Sequence, residues 1–141
     1  MHKFLVLIFG LLGCLTFATA AEQVEILIIA NNQVSEDHLT RPEITDIYQS
    51  RRGKWNNGQK IRVVMLKKGL THEAFTENIV GTTPMKLKTL WKKVIFSGAG
   101  APLKILKTEE KLVEFVAATK GAIGYINSAT GHEGVKVITV K

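Results

Sequence analysis

The chain has 141 residues, 45% of them hydrophobic and 22% charged, with a formal net charge of +7. That composition excludes a disordered chain, and the length allows one modest domain. The single cysteine, Cys14, excludes a disulfide framework, so the core must hold unaided.

Residues 1–20 read MHKFLVLIFGLLGCLTFATA, a short basic start, an apolar run and a small-residue end. This is the pattern of a secretory signal peptide, with Ala18-Thr19-Ala20 as the cleavage site and residues 21–141 as the exported domain. Leu11-Leu12-Gly13-Cys14 offers a second reading, a lipoprotein box that would leave a lipidated Cys14 at the N-terminus. The short apolar run before Cys14 and the apolar stretch after it favour cleavage after Ala20 and release into the periplasm. No second run of about 18 apolar residues follows, so the exported chain is not expected to span a membrane.

The run VEILIIA at 24–30, closed by Asn31-Asn32, predicts a strand covered on both faces. A helix is predicted over 42–50, with Thr40 or Arg41 before Pro42 and with Ile44, Ile47 and Tyr48 on one face. Arg51-Arg52-Gly53 ends it, Asn56-Asn57-Gly58 marks a turn, and KIRVVML at 60–66 predicts a second strand. Residues 71–80 read as a helix with Thr71 as its N-cap and Ala74, Phe75 and Ile79 inward; Gly81 stops it. Thr83-Pro84 opens the next helix, in which Leu87, Leu90, Trp91 and Val94 recur at helical spacing. The stretch 97–101 (SGAGA) with Pro102 is a flexible break. Thr108-Glu109-Glu110 starts a helix that buries Leu112, Val113, Val116 and Ala117 and ends at Lys120-Gly121. Strands are predicted at 122–126 and 135–140. Alternating strands and helices make an α/β domain with one central sheet and helices on both faces.

Chemistry-bearing patterns are sparse. His38, His72 and His132 lie far apart without metal-ligand spacing, so no metal is expected. Ser97-Gly98-Ala99-Gly100 lacks the glycine two residues before the serine that a nucleophile elbow requires, and no phosphate loop or dinucleotide fingerprint is present. No enzyme and no cofactor is expected. Basic clusters stand at Arg51, Arg52 and Lys54 beside Trp55, at Lys67-Lys68 and at Lys92-Lys93. They suit solvated faces or attraction to anionic surfaces; export argues against nucleic acid.

Several collinear segments resemble the phosphate-binding proteins of bacterial ABC transporters. Ile44-Thr45-Asp46-Ile47-Tyr48 followed by Gly53-Lys54-Trp55-Asn56-Asn57-Gly58 is similar to that family's L-x-x-I-[FY]-x-G…W-x-x-G segment. Ile61-Arg62-Val63-Val64, Phe75, Leu90-Trp91 and Phe96-Ser97-Gly98-Ala99-Gly100 follow in the family's order. Gly121-Ala122-Ile123-Gly124-Tyr125 is the most specific element. The resemblance implies a single periplasmic-binding-protein-like lobe, since the family's members close two α/β lobes on their anion. It also implies that Gly121 and Gly124 are needed for backbone geometry around Ile123 and Tyr125.

The family's phosphate loop, an Arg-x-Asp-x-Ser-Gly-Thr segment after the second strand, corresponds here to Leu66-Lys67-Lys68-Gly69-Leu70-Thr71-His72-Glu73. The arginine position falls at Lys67, the aspartate is absent, and no Ser-Gly-Thr remains. A glycine-containing turn with two lysines and Thr71 can still attract an anion. Lys67, Lys68, Gly69, Thr71 and His72 are therefore the candidate oxyanion-binding residues. Two functions follow from the resemblance: uptake of phosphate or another oxyanion with an ABC permease, or docking on another envelope protein after loss of the ligand.

Overall fold

A computed structural model describes residues 24–98 and 103–141. The signal segment, with Cys14 and its cleavage site, and most of the glycine-alanine break lie outside the described residues. Six strands form one mixed sheet, and its centre is the apolar run near the start of the domain. Strand β1 (Ile26–Ala30) pairs antiparallel on one side with β5 (Ala122–Asn127) and on the other with β6 (Lys136–Val140). β5 continues parallel to β3 (Arg62–Leu66), and β3 parallel to β4 (Leu103–Leu106). At the far edge β2 (His38–Leu39) runs parallel to β6, giving the order β2-β6-β1-β5-β3-β4. All four predicted strands thus share one sheet.

Two edge strands, β2 and β4, are additions to the sequence reading. β2 has two residues, and β4 (LKIL) carries an exposed Lys104 and a half-exposed Ile105. Neither offers the long buried run that marks a strand in sequence.

The helices take their places through the alternation of β5. Gly124 and Tyr125 point to opposite faces. On the glycine face lies α4 (Glu109–Ala118), packed so closely that a Cβ on Gly124 would stand 2.6 Å from Leu112 Cδ2. On the tyrosine face lie α1 (Arg41–Tyr48) and α2 (Leu70–Phe75), whose Tyr48 and Phe75 rings pack on Tyr125. Helix α3 (Pro84–Ser97) buries Leu87 and Trp91, with the Trp91 indole N–H donating to Tyr48 O at 2.7 Å. The Trp55 indole donates to Gly121 O at 3.0 Å. Gly121 sits at φ +77° with Lys60 O only 2.2 Å from where a Cβ would be, so both the dihedral and the space demand glycine. The expected backbone requirement is met at Gly121, by a left-handed turn; at Gly124 the dihedral is not left-handed, and glycine is needed instead to make room for α4.

Three local expectations are corrected. Thr71 is not the N-cap of α2: Gly69, at φ +114°, takes that place, and Thr71 falls inside the first turn. The helix does not run regularly to Val80, because it widens to a π turn over Thr76–Val80, where the Thr76 hydroxyl donates to His72 O at 2.7 Å. Ala117 is exposed, since the buried stripe of α4 is Leu112, Val113 and Val116. The carbonyls of Val116 and Ala117 instead accept the buried Asn31 amide at 2.9 and 3.1 Å, which ties the end of α4 to the end of β1.

Candidate functional site at the β3–α2 turn

β3 ends buried, and the chain leaves the sheet through Lys67 and Lys68, both exposed, before Gly69 turns it into α2. Lys67 N–H donates to Leu106 O at 2.9 Å, so the turn is pinned to β4.

Beneath the turn lies a layer of buried polar and aromatic groups. The Tyr125 hydroxyl accepts from Leu66 N–H at 2.9 Å and contacts His72 Nδ1. The hydroxyl and Nδ1 form one buried hydrogen bond beside the one from the Leu66 amide. Burial lowers the His72 pKa from its ordinary value, although Glu73 opposes that shift. Burial also pushes the Tyr125 hydroxyl well above the ordinary phenol range, with the Glu109 charge adding to it and the Leu66 amide opposing it. Phe75 stacks on Tyr125 at 3.8 Å between centroids, and Tyr48 meets Phe75 edge-on at 4.7 Å. The Tyr48 hydroxyl reaches Val64 O at 3.1 Å and Ile123 O at 3.3 Å, bridging β3 and β5.

Above the turn is a polar cavity of about 750 Å3, bordered by Lys68, Gly69, Thr71, Lys107, Glu109 and Asn127. Glu109, at the start of α4, lies at its centre of bonding. One carboxylate oxygen accepts from the Thr71 hydroxyl at 3.1 Å. The other accepts from Asn127 N–H and from the Thr130 hydroxyl, the latter at 3.1 Å. A carboxylate of the chain itself thus takes up donors that an external anion would need.

The predicted residues divide accordingly. Lys68, Gly69 and Thr71 border the polar cavity. Lys67 and Lys68 border a second cavity, an apolar groove of about 710 Å3 between α3 and the β3–β4 edge. His72 also borders that groove but is held by Tyr125 beneath the turn, where helical spacing aligns it with Phe75 and Thr76. Glu109, Asn127, Thr130 and Lys107 were not among the predicted residues. Thr108-Glu109-Glu110 reads in sequence as a capped helix start, and nothing in it signals the contact with Thr71.

The two arginines of the Arg51–Trp55 cluster are spoken for. Arg51 pairs with Asp46 at 2.7 Å. Arg52 pairs with Glu36 at 3.3 Å and Glu43 at 3.7 Å, donates to Lys54 O, and lies over the Trp55 ring. His38 is exposed on β2 and His132 bonds to Thr130 O; among the described residues no three His, Cys, Asp or Glu side chains converge as a metal site. Among the described residues no helix is long and apolar enough to cross a membrane.

No family model and no curated protein matches the sequence. Solved structures do match. A Clostridium perfringens protein assigned as a phosphate ABC transporter substrate-binding protein, with bound phosphate, superposes with a TM-score of 0.67 at 24% identity. The match covers 83% of this chain and 45% of that one. An ABC-type phosphate transport receptor from Vibrio cholerae gives 0.64 at 20% identity, covering 83% and 46%. PstS from Borrelia burgdorferi gives 0.64 at 14% identity, covering 84% and 47%. The chain spans less than half the length of these proteins. It has the mixed α/β fold of one lobe of a phosphate-binding protein.

Proposed function

We propose that residues 21–141 form an exported, periplasmic, one-lobed protein of the solute-binding type, which holds phosphate or a similar oxyanion weakly at the β3–α2 turn and presents it to an ABC permease. The observation that supports this reading is the polar cavity bordered by Lys68, Lys107, Gly69 and Thr71, in a lobe fold shared with a protein that holds phosphate. The chemistry is binding, not catalysis.

With one lobe the anion stays in contact with water. Each exposed charge contact then contributes about 0.3–1 kcal/mol, so about four at the top of that range are needed to reach the roughly 4 kcal/mol of millimolar affinity. Glu109 lowers the affinity further, by its charge and by engaging the Thr71 hydroxyl. That same occupancy favours a second reading, in which ligand binding is lost and the lobe docks on an envelope protein.

Titration calorimetry with inorganic phosphate at low and high salt separates the two. The first reading expects a millimolar dissociation constant that weakens with salt and weakens again in Lys68→Ala. Phosphate binding that is absent at low salt would leave the docking reading. Submicromolar, salt-resistant binding would mean that the anion is enclosed by a second wall.

A further inference from the structure

The apolar groove beside the turn has no role in holding a bare oxyanion. Its volume of about 710 Å3 falls in the range of small-molecule sites, roughly 300–1,000 Å3. Met65 and Ile105 stand opposite each other on β3 and β4 and, with Leu103, supply apolar surface on the sheet side. Trp91 and Ile95 supply it from α3. Ile105 is 50% exposed and Ile95 62% exposed, an open apolar surface of the kind that marks a binding groove. Lys67, Lys68, Lys88 and Lys92 border it and, among the described residues, no carboxylate does. None of these four lysines forms an ion pair among the described residues. Lys68 and Leu66 border both the groove and the polar cavity, so the two adjoin at the turn.

An apolar channel edged by unpaired cations and meeting a polar cavity at a lysine fits one kind of occupant. We propose that this lobe binds a single-chain anionic amphiphile, a phosphate monoester of a long-chain alcohol or glyceride, with its head at Lys67 and Lys68 and its alkyl tail in the α3–β4 groove. The proposal rests on the oxyanion reading above and names the ligand class for that turn. Free phosphate leaves the groove unused, and a neutral lipid leaves the lysines unpaired. A second copy of this basic chain would bring cations against cations. Each methylene taken out of water gains about fourfold in affinity, so a partly buried tail multiplies a weak head contact by orders of magnitude.

The test is calorimetry on the purified protein with three probes: inorganic phosphate, dodecyl phosphate below its critical micelle concentration, and dodecyl maltoside as the neutral control. Dodecyl phosphate is expected to bind about 100-fold or more tighter than inorganic phosphate, and dodecyl maltoside at least about tenfold weaker than dodecyl phosphate. Ile105→Asn, a neutral polar change at a half-exposed position, should remove most of the gain from the tail and leave inorganic phosphate binding intact, whereas Lys68→Ala should weaken both anions. If inorganic phosphate binds and dodecyl phosphate binds no tighter, the amphiphile proposal falls while the oxyanion reading stands. If neither binds, both fall. Equal binding of the maltoside, or tight dodecyl phosphate binding that survives Ile105→Asn, would also overturn the proposal. So would a dimer in sedimentation equilibrium that Ile105→Asn dissociates, because a second copy would then cover the groove.

Discussion

The floor and the rim of the β3–α2 turn answer to different partners, even where Thr71 and His72, adjacent in the chain, are both buried. Below, His72, Tyr125, Phe75 and Tyr48 are buried, and their polar atoms bond to one another or to the strands. Above, Lys67, Lys68 and Gly69 are exposed, and the polar atoms answer to Glu109 or to water. The lesson is that one set of side chains holds the turn in place and another faces outward from it. The floor sets where the turn stands, and the rim sets which charges and donors it presents. Substitutions below should change stability more than binding, and substitutions above should do the reverse.

Tyr125→Phe breaks the floor hardest. It removes one oxygen and leaves two buried groups without a partner, Leu66 N–H and His72 Nδ1. An unsatisfied buried polar group costs about 1–3 kcal/mol, so a loss of about 2–4 kcal/mol is expected in urea unfolding. The ring stacking on Phe75 is retained in this variant. A loss under about 0.5 kcal/mol would mean that water or a shifted His72 takes over both bonds, and that the floor does not fix the turn.

The same contrast explains what could be read from the sequence. The central strands were legible because Ile28, Ile29, Val63, Val64 and Ile123 stand in buried β-branched runs, and the helix starts because Thr40, Thr83 and Thr108 each accept an N-terminal amide. β2 and β4 were not, since an edge strand of two or four half-exposed residues has no period to detect. The rim was legible as a contiguous stretch, from Lys67 to Thr71. Its counter-charge was not, because Glu109 reaches Thr71 from a helix start 38 residues away in sequence. The Arg51–Trp55 cluster shows the reverse error. Its two arginines look free in sequence, but Asp46, Glu36 and Glu43 fold back onto them.

A smaller effect on the floor comes from acid. The folded protein holds His72 at a lowered pKa, chiefly through burial, whereas the unfolded chain titrates near the ordinary value of about 6.5. As pH falls through about 6.5 the unfolded state binds the proton first, so stability is full above that pH and is lost below it. Protonation also fixes an N–H on Nδ1, facing a Tyr125 hydroxyl that already accepts from Leu66 N–H. His72→Gln should flatten the fall in melting temperature between about pH 7 and 5. An equally steep fall in that variant would assign the acid sensitivity to other groups.

The smallest expected effect is on the rim, and it bears most directly on function. Glu109→Gln removes the negative charge beside the turn but keeps a side chain of nearly the same shape. The amide oxygen can still accept from Asn127 N–H and the Thr130 hydroxyl, while the Thr71 hydroxyl, which donates to the second carboxylate oxygen at 3.1 Å, would face an NH2 group and be released. Two consequences oppose each other in sign. Stability should fall by about 0.3–1 kcal/mol, because a charge at the first turn of α4 is lost. Phosphate affinity should rise about two- to fivefold, the equivalent of about 0.4–1 kcal/mol, because the repelling charge is gone and a hydroxyl is free to donate. The two readouts are independent: melting temperature reports the first and calorimetry with inorganic phosphate the second. A variant that loses stability without gaining affinity would show that Glu109 is only a helix-end charge and that the anion, if bound, sits away from Thr71. A variant that gains affinity would establish the carboxylate as the chain's own competitor for the turn.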